Sequence, residues 1–225
     1  MWNTSPNCEV WYDRRRMYTT SLANMSIVGY ILGLGDRHPN NIMLQRASGL
    51  VVHIDFGDCF EVAMTRDKFP EKVPFRLTRM LRSALDVSGV DGAFRACSET
   101  AMCVLREGSH SVLALLEAFI QDPLISWRLI NRHGQEPESS NDHKTIEEQV
   151  NIANMRNATS TAGAESMCDS GVFIVKRLSS KLKGQDFISA GTEPLDPRTQ
   201  VGQLIEEATD VTNVAQSWSG WYPFW

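Results

Sequence analysis

Two short polar motifs that flank a predicted β-hairpin constrain the fold of this chain more than any other feature. The first motif is GDRHPNN at 35–41, and the second is DFG at 55–57. Between them lie the apolar segments IMLQ and LVVHIDF, separated by the turn RASG. Alternation with a period of two around such a turn is typical of a hairpin. A hairpin folds back on itself, so both motifs are predicted to meet at its open end.

The residue types in these motifs suit phosphoryl transfer. This reaction needs a carboxylate that orients the attacking hydroxyl and oxygen ligands that hold magnesium. Protein kinases place an Asn five residues after the catalytic Asp, and a DFG motif follows. Asp36 and Asn41 have this spacing, and Asp55 begins the DFG. Either motif alone is common in loops, but their order and the hairpin between them favour a kinase site.

Most of the remaining sequence has helical periodicity. Helices are predicted at residues 10–34, 75–85, 94–107, 111–121, 172–184 and 196–208. Residues 131–170 are rich in Ser, Asn, Thr and Glu and have too few apolar side chains to order a segment. They are predicted to form a disordered insert.

Composition excludes several classes of protein. A net charge of −5 provides no basic surface for nucleic acid. No apolar run is long enough for a membrane span. The five cysteines are scattered without a CxxC pair, which is typical of reduced thiols. A cytoplasmic location is expected, with endomembrane surfaces and the nucleus as alternatives.

Several longer motifs carry a family resemblance. The stretches GLGDRHPNN and HIDFGDCFE resemble the phosphatidylinositol 3-kinase-related kinases and their lipid-kinase relatives. DCFEVAMTRDKFPEKVPFRLTRML, DPLISWRL and the final GWYPFW resemble the target-of-rapamycin branch of that family. The resemblance is dense over about 5–130 and extends in outline over 171–225.

The resemblance implies a fold and a domain order. The expected fold is mainly α (α+β): the C-terminal lobe of a bilobal kinase, with a small hairpin sheet. The expected order is a kinase lobe at 1–130, the insert at 131–170, a helix and linker at 171–192 and a FATC tail at 193–225. No glycine-rich loop precedes Asp36, and the first lysine is Lys68. The N-lobe is therefore expected to be missing, and the isolated chain is expected to be an inactive fragment.

Roles in the site follow from the same resemblance. Asp36 is implied to be the catalytic aspartate, and His38 to lie beside the transferring phosphoryl group. Asn41 and Asp55 are implied to bind Mg²⁺ or Mn²⁺. Arg37 is given a structural role.

The resemblance also implies a nucleotide site and partners. Met43 and Ile54 would form the apolar floor under the adenine of ATP, although a hairpin core explains them equally well. The implied partners are protein substrates with Ser or Thr, a raptor-like scaffold and a β-propeller subunit. Nucleic acid is not expected, and membrane contact would be peripheral at most.

Three functions are weighed for the chain. The implied activity is phosphorylation of protein Ser/Thr hydroxyls in nutrient and growth signalling. A phosphoinositide kinase is the second, but the segment between Gly57 and Pro74 has three basic against four acidic residues, a poor match for an anionic lipid. A non-catalytic interaction module is the third, and the complete set of polar catalytic positions argues against it.

The end of the chain resembles a FATC tail, which in this family packs on the kinase lobe and is needed for activity. Relatives often carry cysteines there, but no cysteine follows Cys168, so a tail disulfide is excluded. An aromatic cluster remains, formed by Trp218, Trp221, Tyr222, Phe224 and Trp225. Such rings suit a core contact or a membrane interface. The lack of basic residues nearby favours the core.

Overall fold

The computed structural model describes residues 1–66, 68–120, 160–187 and 193–224. The chain divides into two compact units, Met1–Gly108 with Ser180–Trp225, and Ser109–Ser179. The helices are α1 (Cys8–Leu32), α2 (Arg79–Ser83), α3 (Ala93–Glu107), α4 (Ser109–Ile120), α5 (Ser160–Lys183), α6 (Pro197–Thr209) and α7 (Val211–Ala215). The strands are β1 (Ile42–Leu44) and β2 (Val51–His53).

Helix α1 is the central element of the first unit. The Asn7 side chain caps it by accepting the Val10 N–H at 2.8 Å. Its buried residues include Tyr18, Leu22, Ile27 and Ile31. Helix α3 packs on α1, and α6 packs on α3. The predicted helix at 10–34 is thus confirmed, with each end two residues earlier.

The predicted hairpin is confirmed as well. Strands β1 and β2 pair antiparallel, with Ile42 opposite His53 and Leu44 opposite Val51. Val51 and His53 are buried, whereas the Val52 side chain between them is 45% exposed. In β2, one face therefore belongs to the core and the other faces outward, whereas Leu44 of β1, opposite Val51, is 45% exposed.

The predicted helix at 75–85 is wrong in its first four and last two residues, because α2 extends only from Arg79 to Ser83. Phe75, Arg76, Leu77 and Thr78 are all buried. Four consecutive buried side chains do not suit a helix with one buried face. The predicted helices at 94–107, 111–121 and 196–208 agree with α3, α4 and α6 to within two residues.

The helix predicted at 172–184 begins earlier, at Ser160. The prediction of disorder is therefore wrong for residues 160–170. Their sequence, STAGAESMCDS, contains several helix formers, and extending a formed helix costs less than starting one. The predicted insert at 131–159 lies outside the described residues.

The observed architecture confirms the predicted mainly helical fold with a two-stranded hairpin sheet. None of the helices that the structure describes is both long and apolar enough to cross a lipid bilayer.

The aromatic tail is divided between core and surface. Trp221 is 2% exposed and packs with Val73 and Val214. Trp218, Tyr222 and Phe224 are more than half exposed. Core packing therefore holds for Trp221, and the rings of Trp218, Tyr222 and Phe224 lie at the surface. Trp225 lies outside the described residues.

Candidate active site

Two glycines bring the loop at 33–41, named the catalytic loop here, close to the segment after DFG at 58–74. The Gly35 N–H donates to the Asp58 carbonyl at 2.8 Å, and the Glu61 N–H donates to the Gly33 carbonyl at 2.9 Å. A Cβ on Gly33 would lie 2.5 Å from the Glu61 nitrogen, and one on Gly35 would lie 2.2 Å from the Ala63 Cβ. The two backbones thus approach so closely that neither position has room for a side chain.

Asp36 has a backbone that neighbouring side chains hold. Its φ is 58°, in the left-handed region that few residues other than Gly adopt. Its N–H donates to both carboxylate oxygens of Glu71, at 3.0 and 2.9 Å. Its carbonyl accepts the Asn41 Nδ2–H at 2.9 Å. The Asp36 carboxylate itself is one-third exposed, so a substrate hydroxyl can reach it.

His38 lies beside the Asp36 carboxylate. Its Nδ1 accepts the Asn40 N–H at 3.2 Å, which assigns the ring proton of the neutral imidazole to Nε2. Nε2 is 3.9 Å from the nearer Asp36 oxygen, beyond hydrogen-bond distance. The Nε2–H donor of His38 and the carboxylate acceptor of Asp36 therefore lie next to each other without forming a hydrogen bond.

Asn41 and Asp55 lie at the open end of the hairpin. The Ile54 N–H donates to the Asn41 carbonyl at 3.0 Å, which places Asp55 directly after this contact. Asn41 uses Nδ2 to hold Asp36, and its Oδ1 is the amide atom that can bind a cation. In Asp55, Oδ1 accepts the Gly57 N–H at 3.1 Å.

The side-chain oxygens of Asn41 and Asp55 are of the kind that binds a magnesium ion. Mg²⁺ prefers hard oxygen ligands, and proteins commonly supply only one or two of them, with phosphates and water completing the shell. Among the described residues, no group of three His, Cys, Asp or Glu side chains could hold a metal. The residues present, one amide oxygen and one carboxylate, match this number of protein ligands.

The buried side chain of Arg37 connects the catalytic loop to the DFG motif. Its side chain is 3% exposed and donates to the carbonyls of Gly35 at 2.8 Å, Ile54 at 2.7 Å and Asp55. Burial lowers the pKa of Arg37, against the raising effect of the carboxylates of Asp36, Asp55 and Glu71. All these donations go to backbone carbonyls, in agreement with the structural role expected for Arg37.

Met43 and Ile54 lie on the outward face of the hairpin. They are 54% and 39% exposed, and Val52, opposite Met43, shares their face. The hairpin-core interpretation of these two residues is therefore wrong. Their predicted place under adenine remains a prediction.

His53 is buried on the inward face of β2. The structure provides neither of its ring nitrogens with a hydrogen-bond partner among the described residues. Burial, together with the nearby charge of Arg37, lowers the pKa of His53 to about 4. The ring is therefore neutral at pH 7.

Sequence analysis missed Glu71 as a site residue. It is 6% exposed and contacts the Asp36 backbone, and Arg66 lies 3.8 Å away. Burial raises the pKa of Glu71, whereas the Asp36 N–H and Arg66 lower it. In the sequence it is one acid among several in a charged segment, so no local signal distinguishes it.

Arg76 was also missed, and it connects the site to the tail. It donates to the carbonyls of Trp221 and of Tyr222, the latter at 3.1 Å, and its guanidinium lies 4.4 Å from the Trp221 ring centre. It also reaches the Arg37 carbonyl at 3.5 Å. Burial lowers its pKa to about 10.

Two family models match parts of the chain, and several curated proteins match its whole length. Residues 1–129 match the family model of phosphatidylinositol 3- and 4-kinase, and residues 194–225 match that of the FATC domain. The whole chain is 49% identical to the target of rapamycin homolog of Caenorhabditis elegans and 46% identical to the serine/threonine-protein kinase tor1 of Schizosaccharomyces pombe. It spans 8% and 10% of the lengths of these relatives.

Two further proteins match the chain at lower sequence identity. Over 94% of the chain, identity to the serine-protein kinase ATM of Sus scrofa is 38%, and the match spans 7% of that protein. The solved structure of the FAT and kinase domain of CtTel1 superposes on 99% of the chain with a TM-score of 0.66 and 31% identity, using 13% of that structure.

The kinase-type site at the hairpin and the two family matches lead to one assignment. The chain belongs to the phosphatidylinositol 3- and 4-kinase family, carries a FATC domain at its end and is similar over its whole length to target-of-rapamycin kinases.

Proposed function

We propose that this chain supplies the catalytic and metal-binding side of a kinase that transfers the γ-phosphoryl group of ATP to Ser or Thr hydroxyls of proteins. One observation carries the proposal. The Asp36 carboxylate and the oxygens of Asn41 and Asp55 belong to two loops that Arg37 and the backbone hold together at the end of the hairpin. Such an arrangement can orient a hydroxyl next to a metal-bound phosphate.

The proposed chemistry uses the exposed side of Asp36. The substrate hydroxyl donates a hydrogen bond to the carboxylate, its oxygen bonds to the γ-phosphorus, and the bond from that phosphorus to the bridging oxygen of ADP breaks. The hydroxyl proton passes to Asp36. The Nε2–H of His38, on the same side, donates to the oxygens on which negative charge develops.

Asn41 and Asp55 would hold the magnesium ion, which when bound neutralises charge on the phosphates. On the outward face of the hairpin, Met43, Val52 and Ile54 offer an apolar surface of the kind that receives an adenine ring.

The proposed substrates are proteins. The tor1 relative is named a serine/threonine-protein kinase. Asp58 and Glu71 are two buried acids of the segment after DFG, and both contact Arg66. Part of the positive charge of this segment is therefore paired with carboxylates of the protein itself. Such a segment is a poor receptor for an anionic lipid head group. The family model itself favours phosphoinositides as a second candidate, and the assay below includes them.

We further propose that the whole protein assembles with other subunits, a raptor-like scaffold and a β-propeller protein among them, and works in the cytoplasm. Similarity to the target-of-rapamycin kinases supports this proposal.

The test is an Asp36→Asn substitution in the whole protein. Asn tolerates the left-handed backbone and keeps the carbonyl that Asn41 holds, so only the carboxylate is lost. We expect kcat on a Ser/Thr peptide to fall by about 10³-fold. An Asp13→Asn variant, at an exposed position of α1, is the matched control. Unchanged kcat in Asp36→Asn would refute the assignment, and phosphate transfer only to phosphatidylinositol vesicles would favour the second candidate.

A further inference from the structure

The left-handed backbone of Asp36 needs an external support. A residue with a side chain is strained at a φ of 58°, and such strain persists only where surrounding groups hold it. Asn41 holds the carbonyl of Asp36. The group that holds the N–H also fixes the direction in which the side chain leaves the backbone, because the amide nitrogen and Cβ are bonded to the same Cα.

Glu71 is that group. Both of its oxygens lie within 3.0 Å of the Asp36 nitrogen, whereas the guanidinium of Arg66 is 3.8 Å from Oε1. The Glu71 carboxylate thus lies closer to the backbone of the catalytic loop than to the guanidinium of Arg66. Hydrogen bonds to a charged acceptor are stronger than neutral ones, and this one is almost fully removed from water.

The surroundings keep Glu71 in place. Its own N–H donates to the Ala63 carbonyl at 3.1 Å. Gly35 lets the loop approach the same segment, since a Cβ there would lie 2.2 Å from the Ala63 Cβ and 3.5 Å from Oε2 of Glu71. The buried carboxylate is therefore part of a close contact between the segment after DFG and the catalytic loop.

We propose that Glu71 is a positioning residue for the kinase reaction: it sets the orientation of Asp36 through the backbone N–H and so makes catalysis depend on the packing of the segment after DFG. This inference rests on the proposed function for its kinetic consequence. Its structural part is independent of any activity.

The structural part is tested in the 225-residue chain by amide hydrogen exchange. In Glu71→Leu, which fills a similar volume without an acceptor, we expect the Asp36 amide to lose about tenfold or more of its protection. The Leu34 amide, which donates to the Gly29 carbonyl at 2.8 Å, should keep its protection. Equal protection of Asp36 in both chains would overturn the proposal, and so would loss at Leu34 to the same extent, because it would mean general loosening.

The kinetic part is tested in the whole protein with two conservative variants. Glu71→Gln retains an acceptor oxygen at the same distance, and Glu71→Asp retains the charge but is one methylene too short. We expect kcat to fall by about 10²-fold in Glu71→Asp with little change in KM for ATP, and to stay within about threefold in Glu71→Gln. The matched control is Lys72→Gln at the exposed neighbouring position.

The outcomes separate the two proposals. Equal kcat in Glu71→Asp and Glu71→Gln, at equal melting temperatures, would overturn the positioning role. If the unsubstituted whole protein transferred no phosphate to any substrate, the proposed function would fail. The exchange measurement, which also applies to the Asp and Gln variants, would then still determine whether Glu71 holds Asp36.

Discussion

Individual residues of the site occupy backbone conformations that cost energy. Asp36 and Asp55 have φ values of 58°, and Phe60 and Glu61 in the segment after DFG have values of 61° and 63°. Left-handed backbone costs about 1–2 kcal/mol for each such residue. Strain of this kind is common at functional sites, where tertiary contacts maintain it. Here Glu71, Arg37 and Asn41 supply those contacts.

At the same scale, His53 makes stability depend on pH. Its pKa is lowered from 6.5 to about 4 in the folded chain, so folding favours the neutral ring. This contribution is fully present above pH 6.5 and is lost as pH falls towards 4. A shift of this size corresponds to about 3 kcal/mol between pH 7 and pH 4.

We therefore predict that His53→Leu flattens the acid side of the stability profile. Urea unfolding of the 225-residue chain with EDTA present, repeated from pH 7 to pH 4, measures the slope. The substituted chain should bind about one proton fewer on unfolding at pH 5. A profile parallel to that of the unsubstituted chain would contradict the pKa shift.

Among the elements, the contact between the catalytic loop and the segment after DFG depends on Gly35 having no side chain. Gly35→Ala would bring two Cβ atoms to 2.2 Å, so the backbones must separate. We expect a loss of about 1–3 kcal/mol in the free energy of unfolding. Chemical denaturation measures it.

Two further variants make this prediction specific. Gly29→Ala in α1 meets only Leu34 atoms at 3.8 Å or more and should be neutral or slightly stabilising. The double variant Gly35→Ala/Ala63→Gly removes the clashing atom and should recover most of the stability. A failure to recover would place the cause in the backbone rather than in this contact.

The tail is the second element that the site depends on. Removing the guanidinium in Arg76→Ala leaves the carbonyls of Trp221 and Tyr222 and the Trp221 ring without their partner. We expect faster hydrogen exchange in α7 and a loss of about 2–4 kcal/mol in stability. Arg76→Lys should have an intermediate effect on both quantities, because the lysine ammonium cannot reproduce the hydrogen-bond geometry of the planar guanidinium.

The control for this prediction is Arg79→Ala, three residues further along at an exposed position. It should change neither quantity. Equal tail protection in Arg76→Ala and Arg79→Ala would mean that the packing of Trp221 with Val73 and Val214 holds the tail without Arg76.

For the whole molecule, the described residues offer the proposed nucleotide site only one apolar surface. Met43 and Ile54 are exposed on this surface, and the sequence has no lysine before Lys68. We predict that the 225-residue chain by itself binds Mg-ATP with a Kd on the order of 1 mM or weaker and transfers no phosphate to a peptide.

Calorimetric titration with Mg-ATP tests this prediction. Asp55→Asn should weaken the residual binding, because it removes the carboxylate from the proposed metal site. Binding in the micromolar range together with phosphate transfer would contradict the prediction and mean that the chain encloses the nucleotide unaided.

Local patterns in the sequence were sufficient for the polar motifs and for most of the elements, the start of α2 and the start of α5 excepted. Helices α1, α3, α4 and α6 follow from apolar periodicity and caps, and the hairpin follows from alternation around a turn. Asp36, Asn41 and Asp55 could be predicted because their spacing and the hairpin bring them to the same end. Each of these signals extends over a few residues, where backbone geometry alone relates neighbours.

Only the tertiary structure decided how the site is held. Glu71 meets the Asp36 backbone across 35 positions, and Arg76 meets Trp221 across 145. No periodicity relates residues so far apart. These contacts exist because a buried charged group must find a partner wherever the fold brings one. Residues 75–78 likewise lie outside the helix that their sequence favours, and Arg76 among them binds the tail.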